Sequence, residues 1–316
     1  MQLSIGIDIG GTSTKLGVVD EKGNVLAKRS ISTQQADLDQ YLDHLAEAIE
    51  IALEHANASM KDVRGVGIGA PNANGNKGTI EHAPNLLWKG IVPFVEMFRK
   101  RIDVPTFITN DANAAAIGEM VHGGAKGMKD FIIITMGTGL GAGIVSNGQL
   151  VQGVDGFAAE LGHVNVNFNG RYCGCGKRGC LETYVSATGI VRTVYKLLAD
   201  FRDPSEMRSI SFDRLSAKMI TQSALRGDKI AIEAYHYTGR ILGIKLADTV
   251  AHTNPEAIFL LGGLANAGKL IFDPTKEYME QNLMPIFKNK IKLLPSGLDF
   301  QDASIIGASS LVQANA

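Results

Sequence analysis

The sequence has little of what would move it out of the ordinary globular class. It holds three cysteines, one tryptophan and nine prolines in 316 residues, and 31 Lys+Arg against 32 Asp+Glu leave a net charge of -1. An odd number of cysteines does not make a disulfide framework, which points to a reducing compartment, the cytoplasm. A charge so close to zero, with no dense lysine or arginine run, gives no pull toward nucleic acid. The opening, Met1-Gln2-Leu3-Ser4-Ile5-Gly6-Ile7-Asp8, enters a strand pattern at once with no basic n-region and no apolar h-region, so no signal peptide is expected. Residues 131–154 carry no charge, but glycines and Thr, Ser, Asn and Gln interrupt them, so they read as a hairpin and not as a membrane span.

What remains is average: 45% hydrophobic and 20% charged residues, in a chain long enough for about two domains. Leu3 to Ile9, Lys15 to Asp20 and Val25 to Ser32 read as a three-stranded meander whose first bend is a glycine turn. Leu38, Tyr41, Leu42, Leu45, Ile49, Ala52, Leu53 and Ala56 recur at helical spacing, and Val63 to Gly69 is a continuous apolar run, the mark of a buried strand. Residues 71–90 read as a loop or irregular hairpin, followed by a helix from Ile91 to Arg101, a strand from Pro105 to Thr109 and a helix from Ala112 to Val121.

At Phe131 the opening pattern returns, with a strand entering Gly137-Thr138-Gly139-Leu140-Gly141, so the chain reads as a diverged repeat of two ββαβα halves facing a cleft. Further helices are expected near 187–200, 213–226, 228–253, Pro274 to Leu283 and Ala303 to Val312, with strands at Ala257 to Leu261 and Ile291 to Leu294.

All three cysteines lie within Glu160 to Glu182, in Glu160-Leu161-Gly162-His163 and Cys173-Gly174-Cys175 followed by Cys180-Leu181-Glu182. Three thiolates and one imidazole make a closed tetrahedral zinc set of the structural kind, and the glycines let a short loop fold back on one ion. The alternative is three ordinary buried thiols. Glu160 and Glu182 are not needed by such a site. Together they suit adjacent sugar hydroxyls, whereas either alone would pass for a surface acid.

The two glycine turns, Gly10-Gly11-Thr12 and Gly137-Thr138-Gly139, leave backbone N–H groups open to a polyanion, and as a pair they imply one phosphate chain gripped from both sides; singly, each reads as a hairpin. Asp8, just before the first turn, is placed to meet magnesium or its water shell, or to cap the turn. Asp111 stands where a strand becomes a helix and alone would be an N-cap. In a cleft holding sugar and ATP it is placed as the general base for the attacking hydroxyl, with Asn110 on another hydroxyl. Gly262-Gly263 ends a strand as nucleotide-binding turns do, although an ordinary connection would look similar.

With these pieces in order, the sequence resembles the ROK family of bacterial sugar kinases and repressors, within the actin-like ATPase superfamily, from Ile5 to about Gly307. The specific part is Glu160, His163, Cys173, Cys175, Cys180 and Glu182; Asp8 to Thr12, Gly137 to Gly143, Asn110-Asp111 and Gly262-Gly263 resemble its phosphate, catalytic and adenosine motifs. The resemblance implies an α/β fold of two actin-like (ribonuclease H-like) domains flanking a cleft, with a zinc-binding loop. The first domain would span residues 1–117 and be joined by a final helix at 303–316; the second would span 118–302.

It further implies that Asp111 takes the proton of a hexose 6-hydroxyl attacking Mg-ATP, while Asn85, Asn110, Glu160, His163 and Glu182 hold the other hydroxyls. Asp8, Gly10, Gly11, Thr12, Lys15, Gly137, Thr138, Gly139, Gly262 and Gly263 would meet the nucleotide and its Mg2+; His163, Cys173, Cys175 and Cys180 would hold a structural Zn2+. Pro84-Asn85-Leu86-Leu87-Trp88 and the full acid set look most like the glucose-kinase branch, ahead of N-acetylmannosamine, N-acetylglucosamine and fructose kinases. Where many members have Gly and then Val-Asp after Gly69-Ala70-Pro71, this chain has Asn72-Ala73-Asn74-Gly75, which changes one edge of the sugar site. The family's repressors carry a helix-turn-helix domain before the first glycine motif; only seven residues precede Asp8 here, and no basic recognition helix is present. The expected partners are the sugar, ATP and further copies of the chain as a dimer or tetramer, with no nucleic acid and no membrane.

Overall fold

The computed structural model describes residues 2–315; residues 1 and 316, which the expected domain ranges include, lie outside the described residues. The chain divides into two compact units, one of Met1–Met128, Gly143–Ala159 and Ser296–Ala316, the other of Lys129–Ala142 and Glu160–Pro295. Residue 117, the expected end of the first domain, lies inside the helix Asp111–Val121, and the chain stays with the first unit to Met128.

The first unit is built on a sheet of strands β1 (Leu3–Ile9), β2 (Ser13–Asp20), β3 (Val25–Ser32), β4 (Val63–Gly69) and, after the short strands β5 (Ala73–Asn74), β6 (Thr79–Glu81) and β7 (Ile91–Val92), β8 (Thr106–Thr109). Its order is β3-β2-β1-β4-β8, with β1 antiparallel to β2 and parallel to β4. Helix α1 (Leu38–His55) starts where the Asp37 side chain accepts the N–H groups of Asp39 and Gln40, and its apolar stripe of Tyr41, Leu42, Leu45, Ile49 and Leu53 is buried. That stripe joins a core with Ile5, Ile7, Val66 and Ile68; each large side chain so buried is worth about 1.5–3 kcal/mol.

The expected helix from Ile91 is shorter than its pattern suggested. Ile91 and Val92 pair with Glu81 and Ile80, and Pro93 takes the cap position, so α2 runs only over Phe94–Arg99. Residues 71–90, expected as a loop or irregular hairpin, contain the short hairpin β5-β6, to which β7 adds a third strand. Its buried hub is Asn74, whose amide donates to Glu81 Oε1 at 3.1 Å and to the Asp155 carbonyl at 2.8 Å. The altered tetrad at Asn72 to Gly75 thus has a structural task in the first unit.

Helix α3 (Asp111–Val121) and the last helix, α8 (Ala303–Ala314), pack on each other, and α8 also lies against β1 and β4. The approach is backbone to backbone. A Cβ on Gly6 would stand 2.0 Å from the Ile305 carbonyl oxygen, and one on Gly67 would stand 1.8 Å from that of Ala308. The C-terminal end of α3 is tied down by Glu119, a fully buried carboxylate that accepts the N–H groups of Gly124 and Gly297, each at 2.7 Å, and the Ser296 hydroxyl.

The second sheet has the order β11-β10-β9-β12-β13, from β9 (Phe131–Met136), β10 (Leu140–Ser146), β11 (Gln149–Leu150), β12 (Ala257–Leu261) and β13 (Lys292–Pro295). Position for position this repeats the first sheet: a hairpin on one side of the founding strand and two parallel strands on the other. The helices of the second unit are α4 (Ala187–Asp200), α5 (Ala217–Leu225), α6 (Lys229–Thr253) and α7 (Lys269–Asn282). Helix α5 begins later than the pattern suggested, because the Ser216 side chain caps it through Met219 N–H. Helix α7 begins earlier, with Pro274 inside it and not at its start; the ring sits where a Cβ on Gly239 would come within 2.6 Å, so the proline is part of the α6–α7 crossing. Among the described residues no helix is long and apolar enough to cross a membrane.

The substitution Gly67→Ala tests the backbone contact under α8. It forces α8 off β4 and is expected to cost about 3 kcal/mol or more, read as a lower urea midpoint; unchanged stability would mean that α8 does not seat there.

Candidate active site

In the first unit, β1 ends beside the first glycine turn. Asp8 is the antiparallel neighbour of Lys15 on β2, and burial raises its carboxyl above the usual range while the Ser304 hydroxyl of α8 and the Lys15 charge oppose the rise. The Asp111 charge adds to it. Gly10 closes the turn with its N–H on Ser13 O at 3.1 Å, the Gln34 side-chain amide donates to Gly11 O, and Thr33 N–H donates to Thr12 O at 3.0 Å. Asn85 is brought to this turn, since a Cβ on Gly11 would stand 3.0 Å from both the Cβ and the carbonyl oxygen of Asn85.

At the start of α3 the cap is Asn110, not Asp111. The Asn110 Oδ1 accepts Asn113 N–H at 2.6 Å, which leaves the side-chain NH2 as donor for a further partner. Asp111 becomes the first helical residue with its side chain exposed; one oxygen accepts its neighbour's N–H, from Ala112, at 2.9 Å. Desolvation by the surrounding protein raises its carboxyl, opposed by the N–H groups of Ala112 and of Asp111 itself. A carboxylate of raised basicity that water can still reach is suited to accept a proton.

In the second unit, His163, Cys173, Cys175 and Cys180 converge, with all four ligand atoms within 4.8 Å of one another. The Cys175 and Cys180 sulfurs are 3.7 Å apart, and Cys173 Sγ lies 3.6 Å from His163 Nδ1. Sulfurs about 2.3 Å from one tetrahedral ion would be about 3.8 Å apart, so the spacing fits zinc. Burial pushes the Cys173 thiol up to about 12, so the thiolate form calls for a cation. Using Nδ1 toward the sulfurs leaves His163 Nε2 facing Glu160, at 3.8 Å from its Oε2. The loop is anchored by Arg171, which donates to Thr183 O at 2.7 Å and Gly189 O at 3.0 Å and stacks on the Tyr184 ring.

Glu182 does more than the sequence suggested. Its Oε2 accepts Leu140 N–H at 3.0 Å, directly after the second glycine turn, and a Cβ on Gly139 would stand 2.3 Å from that oxygen. The zinc loop and the second turn are therefore in contact. Gly262, at the end of β12, has φ +118 and a Cβ position only 2.5 Å from Met136 O, so only glycine fits; a Cβ on Gly263 would meet nothing within 4 Å. Gly262-Gly263 leads first into a short 3-10 turn, Ala265–Ala267, and α7 follows at Lys269.

The structure thus gathers Asp8, Gly10, Gly11, Thr12, Lys15 and Asn85 around one end of the first sheet, with Asn110 and Asp111 at the start of α3 in the same unit. It gathers Gly137, Thr138, Gly139, His163, the three cysteines and Glu182 in the second. Sequence reasoning missed Ser304, Gln34 and the residues behind the second turn, because partners so far apart in the chain leave no local pattern.

The ROK family model matches residues 4–315. The glucokinase of Halalkalibacterium halodurans is 33% identical over 315 residues, covering 98% of this chain and 94% of that protein. The glucokinase of Streptomyces coelicolor is 36% identical over 282 residues, covering 88% and 87%. A crystal structure of a ROK family glucokinase from Streptomyces griseus in complex with glucose and AMPPNP matches with a TM-score of 0.84 at 33% identity, covering 99% of each chain. A match along nearly the whole chain, with the Cys3His cluster formed and Asp111 presented at the start of α3, means that the chain belongs to the ROK family.

Proposed function

We propose that the protein is an ATP-dependent hexokinase that phosphorylates glucose at its 6-hydroxyl. The observation that carries this reading is the division of labour at the start of α3: Asn110 takes the cap, so the Asp111 carboxyl stays available to a substrate. Relatives that are glucokinases, one of them crystallised with glucose and an ATP analogue, support the choice of sugar and donor.

In this reading Asp111 accepts the 6-hydroxyl proton as the sugar oxygen attacks the γ-phosphorus and ADP departs. Asn85, the Asn110 amide NH2, Glu160, His163 Nε2 and Glu182 hold the remaining hydroxyls. The N–H groups of the two glycine turns and Lys15 meet the phosphates, and Gly262-Gly263 borders the adenosine. Asp8, flanked by Lys15 and Ser304, would hold Mg2+ through its water shell; the ion supplies charge neutralisation on the phosphates. Zinc in the Cys3His set would serve as a fixed cross-link of the loop that aims Glu160, His163 and Glu182. We place the enzyme in the cytoplasm, where ATP is made and thiols stay reduced, and propose a homodimer or homotetramer with surfaces on α4 to α6.

Four outcomes are expected. Coupled ADP release should show turnover with glucose ahead of N-acetylmannosamine, N-acetylglucosamine and fructose, and Asp111→Asn should lower kcat by about 10^2- to 10^4-fold with a thermal midpoint no lower than wild type. Full activity in that variant would remove Asp111 from the chemistry. Because Asp111 must be ionised and its pKa is raised, kcat/KM should fall with decreasing pH from a point above the ordinary carboxylate range. An acid limb at or below an ordinary aspartate's would contradict that. Elemental analysis should find one zinc per chain, lost in Cys175→Ala together with glucose affinity in calorimetry; a zinc-free variant that bound glucose normally would show that the metal does not set the sugar site.

A further inference from the structure

The second glycine turn is held from behind by a segment that starts at Glu182 and continues past the Cys180-Leu181-Glu182 motif into α4. Gly137 O accepts Ala187 N–H at 2.9 Å, and Thr138 O accepts the Thr188 hydroxyl at 3.1 Å. Ala187 is the first residue of α4, and Thr188 is exposed. The segment is stiff in its own right. The buried Ser186 hydroxyl donates to Glu182 O at 2.7 Å and accepts Gly189 N–H at 3.0 Å, which caps α4.

Peptide planarity gives these bonds a consequence. In a trans peptide the carbonyl of one residue and the N–H of the next point in opposite directions. Fixing Gly137 O therefore aims Thr138 N–H away from the segment, and fixing Thr138 O aims Gly139 N–H the same way. Among the described residues neither N–H has a protein acceptor. Leu140 N–H, by contrast, is turned back and taken by Glu182. Two adjacent donors are thus pointed outward and a third is removed, which makes a small two-donor nest suited to one phosphate group. The first turn uses the same device: the Gln34 amide on Gly11 O sets the direction of Thr12 N–H.

We propose that residues 182–188 form a clasp that aims the Thr138 and Gly139 N–H groups at a nucleotide phosphate, with Thr188 as its positioning residue. This rests on the reading of the second turn as a phosphate site. Thr188 touches no reacting atom. It acts by denying the Thr138–Gly139 peptide the freedom to flip, a rearrangement that glycine would otherwise permit cheaply.

The test is calorimetric titration of the zinc-loaded enzyme with the magnesium complex of a non-hydrolysable ATP analogue, and separately with glucose. Thr188→Val keeps the shape and loses the donor. It is expected to weaken analogue binding by about 3- to 10-fold, the effect of one hydrogen bond, and to raise the KM for ATP in step while glucose affinity and kcat change less than 2-fold. Thr188→Ser keeps the hydroxyl and drops the methyl group, and should show the wild-type value, which a role in packing alone would not allow.

Gly137→Val separates the two levels of the argument, because a Cβ there meets no protein atom within 4 Å, so the turn accepts the larger side chain while its open side is narrowed. If Gly137→Val loses analogue binding while Thr188→Val binds as tightly as wild type, the clasp is wrong and the phosphate site stands. If Gly137→Val also binds normally, the phosphate reading of the turn falls and the clasp falls with it.

Discussion

The first unit depends on one steric constraint, the contact of α8 with the backbones of β1 and β4 where no side chain fits. With carbonyl oxygens of Ile305 and Ala308 about where a Cβ of Gly6 or Gly67 would be, the helix can sit only against glycine. That seat brings Ser304 to Asp8 and gives α3 a partner along its length. Glu119 then fixes the far end of α3 through two main-chain N–H groups and a hydroxyl, so the start of the helix, with Asn110 and Asp111, is carried on a rigid rod. The Asp111 carboxylate is positioned by contacts a full helix length away.

In the second unit the equivalent constraint is the convergence of four donor side chains. Three cysteines and a histidine close enough to share one cation bend residues 160–182 into a loop, and that loop places Glu182 on the N–H of Leu140. One carboxylate thereby serves two neighbours. It keeps one oxygen for the turn and leaves the other toward the Cys173 side of the loop, at 3.6 Å from its sulfur. The Cys3His cluster and the second glycine turn, separate motifs in the sequence, are thus adjacent parts of one unit.

Asn110 and Asp111 show why residue type alone does not assign a role. Both are favoured N-cap residues, and the strand before them allows either to start the helix. The cap goes to the residue whose backbone is still extended, here Asn110 with φ -70 and ψ 161, and the residue after it is freed. Had the helix started one position later, the acid would have been consumed by the fold.

The sequence by itself determined the class of the fold and the chemistry present. Periodicity placed β1 to β4, α1 and α3 nearly to the residue, and the spacing of His163, Cys173, Cys175 and Cys180 predicted their convergence, because these signals lie within a few residues of one another. It also predicted the repeat, now visible as two sheets of the same order. It misjudged the starts of α2, α5 and α7: the pairing of Ile91 and Val92 with β6 and the packing of Pro274 at Gly239 join distant segments, whereas the Ser216 cap on Met219 N–H is local. Only the tertiary structure decided which of Asn110 and Asp111 would cap, that Ser304 would face Asp8, that Glu182 would hold Leu140, and that Ala187 and Thr188 would orient the second turn. Each of those joins residues through hydrogen bonds whose directions depend on how whole elements pack, and packing direction is not written in spacing or composition.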